Sequence, residues 1–278
     1  MIVFQSQMLF IVIFCLIQGF SEFLPISSQG HLLVFNTFFN VTDFSGLNIL
    51  ELNVISHLGS LLAVIIYYNS FILSTLKGLK IFFRPDLNKN LSLSFKLIIS
   101  TIPIIIVGYF FGKTFDYDSD FLLLIIGTCS IIFGIILLIL DKFCLLIRNE
   151  NSINYKIAFF IGLVQCFALI PGVSRAGANM IALRAIGFNR NFTVKYSNLL
   201  SIPVILGAAI FIIYNENNNL FLNDSFNLTA ITVFVLSFIF SIIFIHFLTS
   251  WVRRSSLSIF IIYRIIFGIF LLILFLQH

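Results

Sequence analysis

The sequence predicts an all-α polytopic membrane protein: six transmembrane helices plus two re-entrant helix pairs in an inverted repeat. Three observations lead there. The composition is 60% hydrophobic and only 10% charged, with a mean hydropathy of +1.10, whereas an ordinary soluble domain carries about 25% charged residues. Six apolar segments, at about 52–72, 94–112, 121–141, 197–214, 227–249 and 256–276, each approach the roughly 20 residues that cross a bilayer as a helix. Two further apolar regions, about 6–40 and 157–188, are interrupted by Pro25 and Pro171 with Gly and Ser alongside. Proline removes a backbone donor and clashes with the preceding turn. Each broken region therefore reads as a helix, a turn and a second short helix that enters and leaves by one side.

The charges order these elements. Loops 73–96, 142–156, 188–196 and 252–255 carry Lys77, Lys80, Arg84, Lys89, Lys96, Lys142, Arg148, Lys156, Arg190, Lys195, Arg253 and Arg254. Loops 40–51, 113–120 and 215–226 hold Lys113 as their one base, beside Asp43, Glu51, Asp116, Asp118, Asp120, Glu216 and Asp224. With six crossings and two re-entrant pairs, every basic loop falls on the cytoplasmic side, in accord with the positive-inside bias. Both termini then lie outside. The net charge of +5 is explained by the same bias, and no nucleic-acid partner is expected. The N-terminus has no Lys or Arg before its apolar run and no small-residue cleavage site, so it does not read as a signal peptide. Cys15, Cys129, Cys144 and Cys166 show no paired spacing and read as small hydrophobes rather than disulfides or metal ligands.

A repeat is visible in the same pattern. Gln18 maps to Gln165 at a spacing of 147, and Leu58-Gly59-Ser60 maps to Leu206-Gly207-Ala208 at 148. The chain divides into halves of about 1–145 and 146–278 within one membrane domain. Three crossings per half invert the second half relative to the first. Inverted repeats with broken helices place a polar site near the midplane, so the two tips are expected to meet. A chance match between low-complexity apolar stretches is the plainer explanation, but the charge topology supports the repeat independently.

The tips carry the chemistry. The first reads Gln18-Gly-Phe-Ser-Glu22-Phe-Leu-Pro25-Ile-Ser27-Ser28-Gln29-Gly30-His31, the second Pro171-Gly172-Val-Ser174-Arg175-Ala176-Gly177-Ala178-Asn179. Ionisable residues inside apolar spans are rare and usually functional. Gln18 and Glu22 share a helix face. Ser27 or Ser28 and Ser174 can cap the helices that restart after the breaks. Two helix N-termini then suit an anion, and Arg175 adds a guanidinium fork that fits phosphate oxygens. Glu22 could act as a base or hold a hard cation. A serine nucleophile, a histidine, a carboxylate and an arginine together suggest phosphoryl transfer. The blander readings are serines as caps, His31 as a structural group and Arg175 as a salt-bridge partner of Glu22. Arg264, inside the last span, could bind substrate or pair with an inward carboxylate.

These residues resemble the undecaprenyl-diphosphate phosphatase family of the bacitracin-resistance type. Its first motif has the form Glu-Gly-x-Ser/Thr-Glu-Phe-Leu-Pro-Val/Ile-Ser-Ser-Ser/Thr-Gly-His, and its second Pro-Gly-x-Ser-Arg-Ser-Gly-x-Thr. Glu51, His57-Leu-Gly-Ser60 and Ile262-Tyr263-Arg264 resemble further stretches, so the likeness covers almost the whole chain. The resemblance implies hydrolysis of undecaprenyl diphosphate to the monophosphate that carries cell-wall precursors. It implies an inner-membrane enzyme with an outward-facing site, dependent on a divalent cation (Mg²⁺ or Ca²⁺). Its proposed nucleophile matches Ser27, with His31 and Glu22 as catalytic groups. Arg175, Ser174, Ser28, Gly172, Gly177 and Asn179 match its substrate-binding positions, and Glu22 and Gln18 its metal-binding pair. The expected partner is a polyprenyl diphosphate lipid, and the expected assembly a homodimer. Gln18 stands in place of a Glu, Ala176 of a Ser, Asn179 of a Thr, and Lys195 of a commonly acidic residue. A neutral ligand in place of a carboxylate weakens a hard-cation site, so weakened activity is expected. The competing reading is a transporter that moves a phosphorylated lipid or other anion without hydrolysis. A non-catalytic scaffold fails to explain three ionisable groups at two helix breaks.

Overall fold

Eleven helices run through the residues that a computed structural model of the chain describes, namely 2–39, 43–44, 47–78, 88–111, 119–215 and 228–277. They are α1 (Ile2–Phe23), α2 (Ser28–Phe39), α3 (Ile49–Tyr67), α4 (Asn69–Gly78), α5 (Lys89–Phe111), α6 (Ser119–Phe143), α7 (Tyr155–Gln165), α8 (Arg175–Ile186), α9 (Arg190–Asn215), α10 (Leu228–Trp251) and α11 (Ser258–Gln277). Strands β1 (Asp43–Phe44) and β2 (Leu47–Asn48) form a two-residue antiparallel pairing. Lys80, Arg84, Lys113, Asp116, Asp118, Glu216 and Asp224 lie outside the described residues.

Among the described residues, six helices are long and apolar enough to span a bilayer: α3, α5, α6, α9, α10 and α11. The chain is a multi-pass membrane protein. Only 28% of the most apolar stretches of α10 and α11 is buried within the protein, and residues such as Ile239, Ile243, Ile266 and Ile273 face outward. On a soluble protein so broad an apolar surface would be an association site; on a span it is the face that lipid covers. The described cysteines are all free thiols.

Two expected boundaries are corrected. The segment expected to cross at 52–72 ends as a helix at Tyr67 and restarts at Asn69. Tyr68 leaves helical geometry while its N–H still reaches the Val64 carbonyl at 3.0 Å. Asn69 and Ser70 follow at the break, residue types whose side chains offer the backbone an alternative to the helical ladder. The loop expected at 188–196 is helical from Arg190 onward, because Asn189 Oδ1 accepts the Phe192 N–H at 2.9 Å and caps α9.

The packing is paired. α1 packs on α10 as α7 packs on α5; α3 packs on α10 as α9 packs on α5; and α6 packs along α11. Gly59 lets α3 approach α10 so closely that a Cβ there would sit 2.5 Å from the Phe234 carbonyl oxygen. Leu24 and Ile26, at the first break, are fully buried against Ala176 and Met180 of α8 and Leu137 of α6. The two broken regions thus share one core.

A buried ion cluster ties α6, α8, α9 and the start of α11. Asp141 Oδ1 accepts from Arg184 Nε at 3.2 Å and Arg190 Nε at 2.8 Å, and its Oδ2 accepts the Leu257 N–H at 3.1 Å. Arg184, fully buried, also donates to the carbonyls of Cys144 (3.0 Å) and Phe188, which close α6 and follow α8. Arg190 is therefore a tertiary contact and not a loop charge. Replacing one member leaves buried charge uncompensated. Asp141→Ala should lower unfolding stability by about 3–5 kcal/mol, read as a lowered thermal midpoint in detergent; an unchanged midpoint would show that this cluster does not hold the four helices.

Candidate functional site

Both breaks carry backbone strain. Among described non-glycine residues, positive φ occurs at Ser27 (68°) and Ser174 (66°). They are 147 residues apart, the spacing that separates Gln18 from Gln165. Such backbone conformations cost about 1–3 kcal/mol and persist only where surrounding structure enforces them. Each serine immediately precedes a twelve-residue helix, α2 or α8. Ser174 Oγ accepts the Gly177 N–H at 3.2 Å, the expected cap. Gly172 is also left-handed (φ 90°), and a Cβ there would lie 2.6 Å from Ile126 Cα, so only glycine lets this turn press on α6.

Arg264 joins the two breaks. Its side chain is fully buried and pairs with no carboxylate among the described residues. Nη1 donates to the Pro25 carbonyl at 3.2 Å; Nη2 donates to the Gly172 carbonyl at 2.8 Å and the Val173 carbonyl at 2.5 Å. Both alternatives weighed for it, substrate contact and a carboxylate partner, give way to a backbone staple. Gly177 makes room: a Cβ there would stand 2.5 Å from Arg264 Nη1.

Stapled in this way, the tips meet at an ion pair. Arg175 Nη2 donates to Glu22 Oε1 at 2.9 Å, with side chains 14% and 6% exposed. Glu22 Oε2 accepts from Gln18 Nε2 at 3.1 Å and Ser28 Oγ at 3.3 Å. Gln18 Nε2 also lies 2.8 Å from His57 Nδ1, which stands 3.3 Å from Glu22 Oε2. The amide has two N–H groups, so it can serve carboxylate and imidazole together, making His57 Nδ1 an acceptor. Arg175 Nη1 is buried with no partner among the described residues.

Glu22, Ser28, His57 and Arg175 form the floor of a cavity of about 560 Å³. Glu22, Ser27, Ser28, Gly172, Ser174 and Arg175 all line it. Its upper walls are apolar, built from α2, α3, α5 and α9 through residues such as Leu33, Val54, Ile104 and Val204. Small ligands are commonly held by such apolar walls with a few convergent polar groups.

Four expected site residues stand elsewhere. His31 was expected to share this cavity with Arg175, and that expectation is corrected. His31 faces α11: Nδ1 donates to the Ser27 carbonyl at 2.8 Å, Nε2 accepts from Tyr263 Oη at 2.9 Å, and the ring stacks on Phe267 at 3.9 Å between centroids. It supports Ser27 from behind. Asn179 is fully buried and donates to Gln165 Oε1 at 2.8 Å, and Gly177 serves the cap and the Arg264 contact. Gln18 lies behind Glu22, off the cavity wall. The imidazole in the cavity is His57, which lines it from α3. Its signal was present, an ionisable residue inside an apolar span, but no break surrounds it.

For a divalent cation, the available oxygens are the Glu22 carboxylate and Gln18 Oε1, a buried acceptor with no partner. Described residues include no cluster of three His, Cys, Asp or Glu side chains able to hold a metal by themselves. A carboxylate and an amide oxygen are donors of the kind a hard cation takes.

The family described as Bacitracin resistance protein BacA matches residues 11–270. The chain is 39% identical over 270 residues to an undecaprenyl-diphosphatase of Pelagibacter ubique (strain HTCC1062), covering 97% of this chain and 98% of that protein. It is 34% identical to an undecaprenyl-diphosphatase of Methanococcus maripaludis (strain C7), covering 92% and 96%. It is 31% identical to one of Pseudomonas syringae pv. tomato, covering 92% and 90%.

Removing the Arg264 fork strips the Pro25 and Val173 carbonyls of their side-chain donor and leaves the Gly172 carbonyl only the 3.4 Å bond from Ser130 Oγ. Arg264→Met should cost at least about 3 kcal/mol of stability. Arg264→Lys should recover only part of it, because one ammonium does not span both breaks. Equal thermal midpoints for wild type and Arg264→Met would refute the staple.

Proposed function

The chain belongs to the bacitracin resistance protein BacA family, and from that membership and this cavity we propose that it dephosphorylates undecaprenyl diphosphate to undecaprenyl phosphate. The carrying observation is the cavity's two-part character. A guanidinium with a free N–H, a carboxylate and the serines Ser27, Ser28 and Ser174 lie at its floor, beside apolar walls. That is the pattern of a diphosphate joined to a long hydrocarbon chain.

The terminal phosphate rests on Arg175 Nη1 and the N–H groups that open α2 and α8. Ser27 Oγ, which makes no hydrogen bond with a described residue, attacks the terminal phosphorus in line with the bridging oxygen. The bond from phosphorus to that oxygen breaks, and the lipid monophosphate leaves. As phosphate draws Arg175 away, Glu22 is free to take the Ser27 proton. Water then cleaves the phosphoserine, releasing phosphate and restoring the hydroxyl. Ser28 and Ser174 hold phosphate oxygens, and Ser174 also caps α8. His31 acts through Ser27 by fixing its carbonyl, and is a positioning residue in this reading. Arg175 and the helix N-termini stabilise the charge that builds on the transferring group. A divalent cation, when bound through Glu22 and Gln18 Oε1, would neutralise phosphate charge.

The architecture belongs to the same reading. Two inverted halves, about 1–145 and 146–278, place the floor near the midplane, with the site open to the outer side of the inner membrane. The paired helix packing and the two strained serines support it. Phosphate release in detergent separates hydrolysis from transport, since a pure transporter gives none.

Wild-type protein in detergent should release phosphate from farnesyl and undecaprenyl diphosphates. Ser27→Ala and Arg175→Ala should each lower the rate by about 10²-fold or more. Absence of release by the wild type, or full activity in both variants, would overturn the assignment. Gln18→Glu removes the amide that donates to Glu22 and sets two carboxylates together. This variant should gain rate with added Mg²⁺ and lose it with chelator more steeply than wild type; an unaltered cation response would remove Gln18 from the proposed cation site.

A further inference from the structure

Gln29 on the cavity wall is exposed, and two further carboxamides there, both part-buried, have no part in the reaction described so far. Asn53 stands on α3 four residues before His57, so it shares that helix face one turn further on. Asn36 stands on α2 and lines the same cavity. Neither side chain hydrogen-bonds another described residue, and the Oδ1 of each is enclosed without a partner. With Oδ1 enclosed, the NH₂ end is what each amide turns to the cavity. By contrast, the buried amides Gln18, Asn179 and Asn198 have their NH₂ ends engaged, with Glu22, Gln165 and Tyr68 respectively. Unpaired amides amid Leu32, Leu50 and Val54 carry a desolvation penalty that a bound acceptor would remove.

We propose that Asn36 and Asn53 form a second phosphate seat, which grips the lipid-linked phosphate of a diphosphate while the terminal phosphate rests on Arg175. This inference rests on the hydrolase reading and adds to it the basis for choosing a diphosphate over a monophosphate. Position carries the argument. Along α3 the cavity passes from His57 at the charged floor, through Asn53, to Leu50 among the apolar walls. The phosphate that joins the terminal group to the hydrocarbon must lie at that middle level. Chemistry agrees with position. Each amide offers two N–H donors without adding charge, which suits the inner phosphate once Arg175 has balanced the outer one. A monophosphate has a single group and takes the stronger, charged seat at Arg175, so it leaves the amides unfilled. Product is thereby held less tightly than substrate.

The test measures binding of two ligands to full-length protein in detergent: the non-hydrolysable farnesyl methylenebisphosphonate, and farnesyl monophosphate. Asn36→Leu and Asn53→Leu should each weaken the bisphosphonate about tenfold or more, the loss expected for a hydrogen bond to a charged group. The monophosphate should stay within about twofold, on the same ground that it does not use this seat. Parallel loss for both ligands, or loss for neither, overturns the seat. Thermal unfolding is followed alongside, and Asn36→Ala and Asn53→Ala read the same ratio where a leucine variant does not fold. Phosphate release by the wild type reads the hydrolase assignment separately. A protein that hydrolyses nothing but shows the ratio change keeps the seat, and one that hydrolyses with an unaltered ratio lacks it.

Discussion

Broken helices in an apolar interior leave backbone carbonyls with no water to bond, and in this fold Arg264 satisfies them. Irregular backbone at membrane depth is tolerated only where protein or a water-lined cavity completes it. One guanidinium reaches the Pro25 carbonyl on one side and the Gly172 and Val173 carbonyls on the other. The two breaks are thereby set against each other. The Glu22–Arg175 pair, the facing helix starts and the cavity floor follow from that juxtaposition. A fork with five donors can do this from a single side chain. Gly177 leaves the space it occupies.

Strain and satisfaction are combined at the serines. Ser27 and Ser174 adopt backbone conformations that side chains other than glycine rarely take. The enforcing contacts differ. His31 holds the Ser27 carbonyl and is itself clamped between Tyr263 and Phe267. The second break is held by the Arg264 bonds to its carbonyls and by the press of Gly172 on α6. One helix, α11, therefore supports both tips without lining the cavity.

Residue 18 illustrates how one atom type reorganises a site. As glutamine, it donates to Glu22 and to His57 at once, leaving Oε1 enclosed and unused. A carboxylate there could do neither without a proton or a cation between it and Glu22. The glutamine is thus accommodated by His57, whose Nδ1 takes the second amide hydrogen.

Much of this protein was legible in its residues. Lipid admits no uncompensated charge and no unpaired backbone, so the six apolar runs, the breaks at Pro25 and Pro171, and the ionisable groups Glu22 and Arg175 declared themselves. Arg264 was visible as an anomaly, but its partners were not, because backbone carbonyls carry no sequence signature. The directions in which His31 and His57 point were hidden for a related reason. Proximity in sequence places a residue on a helix but does not say which way that face points. The sequence alone determined which segments belong in the bilayer, where helices must stop, and which residue types are available for phosphate chemistry. Only the tertiary structure decided which imidazole and which amides face the cavity, because the rotation of α2 and α3 about their own axes is set by packing against distant helices.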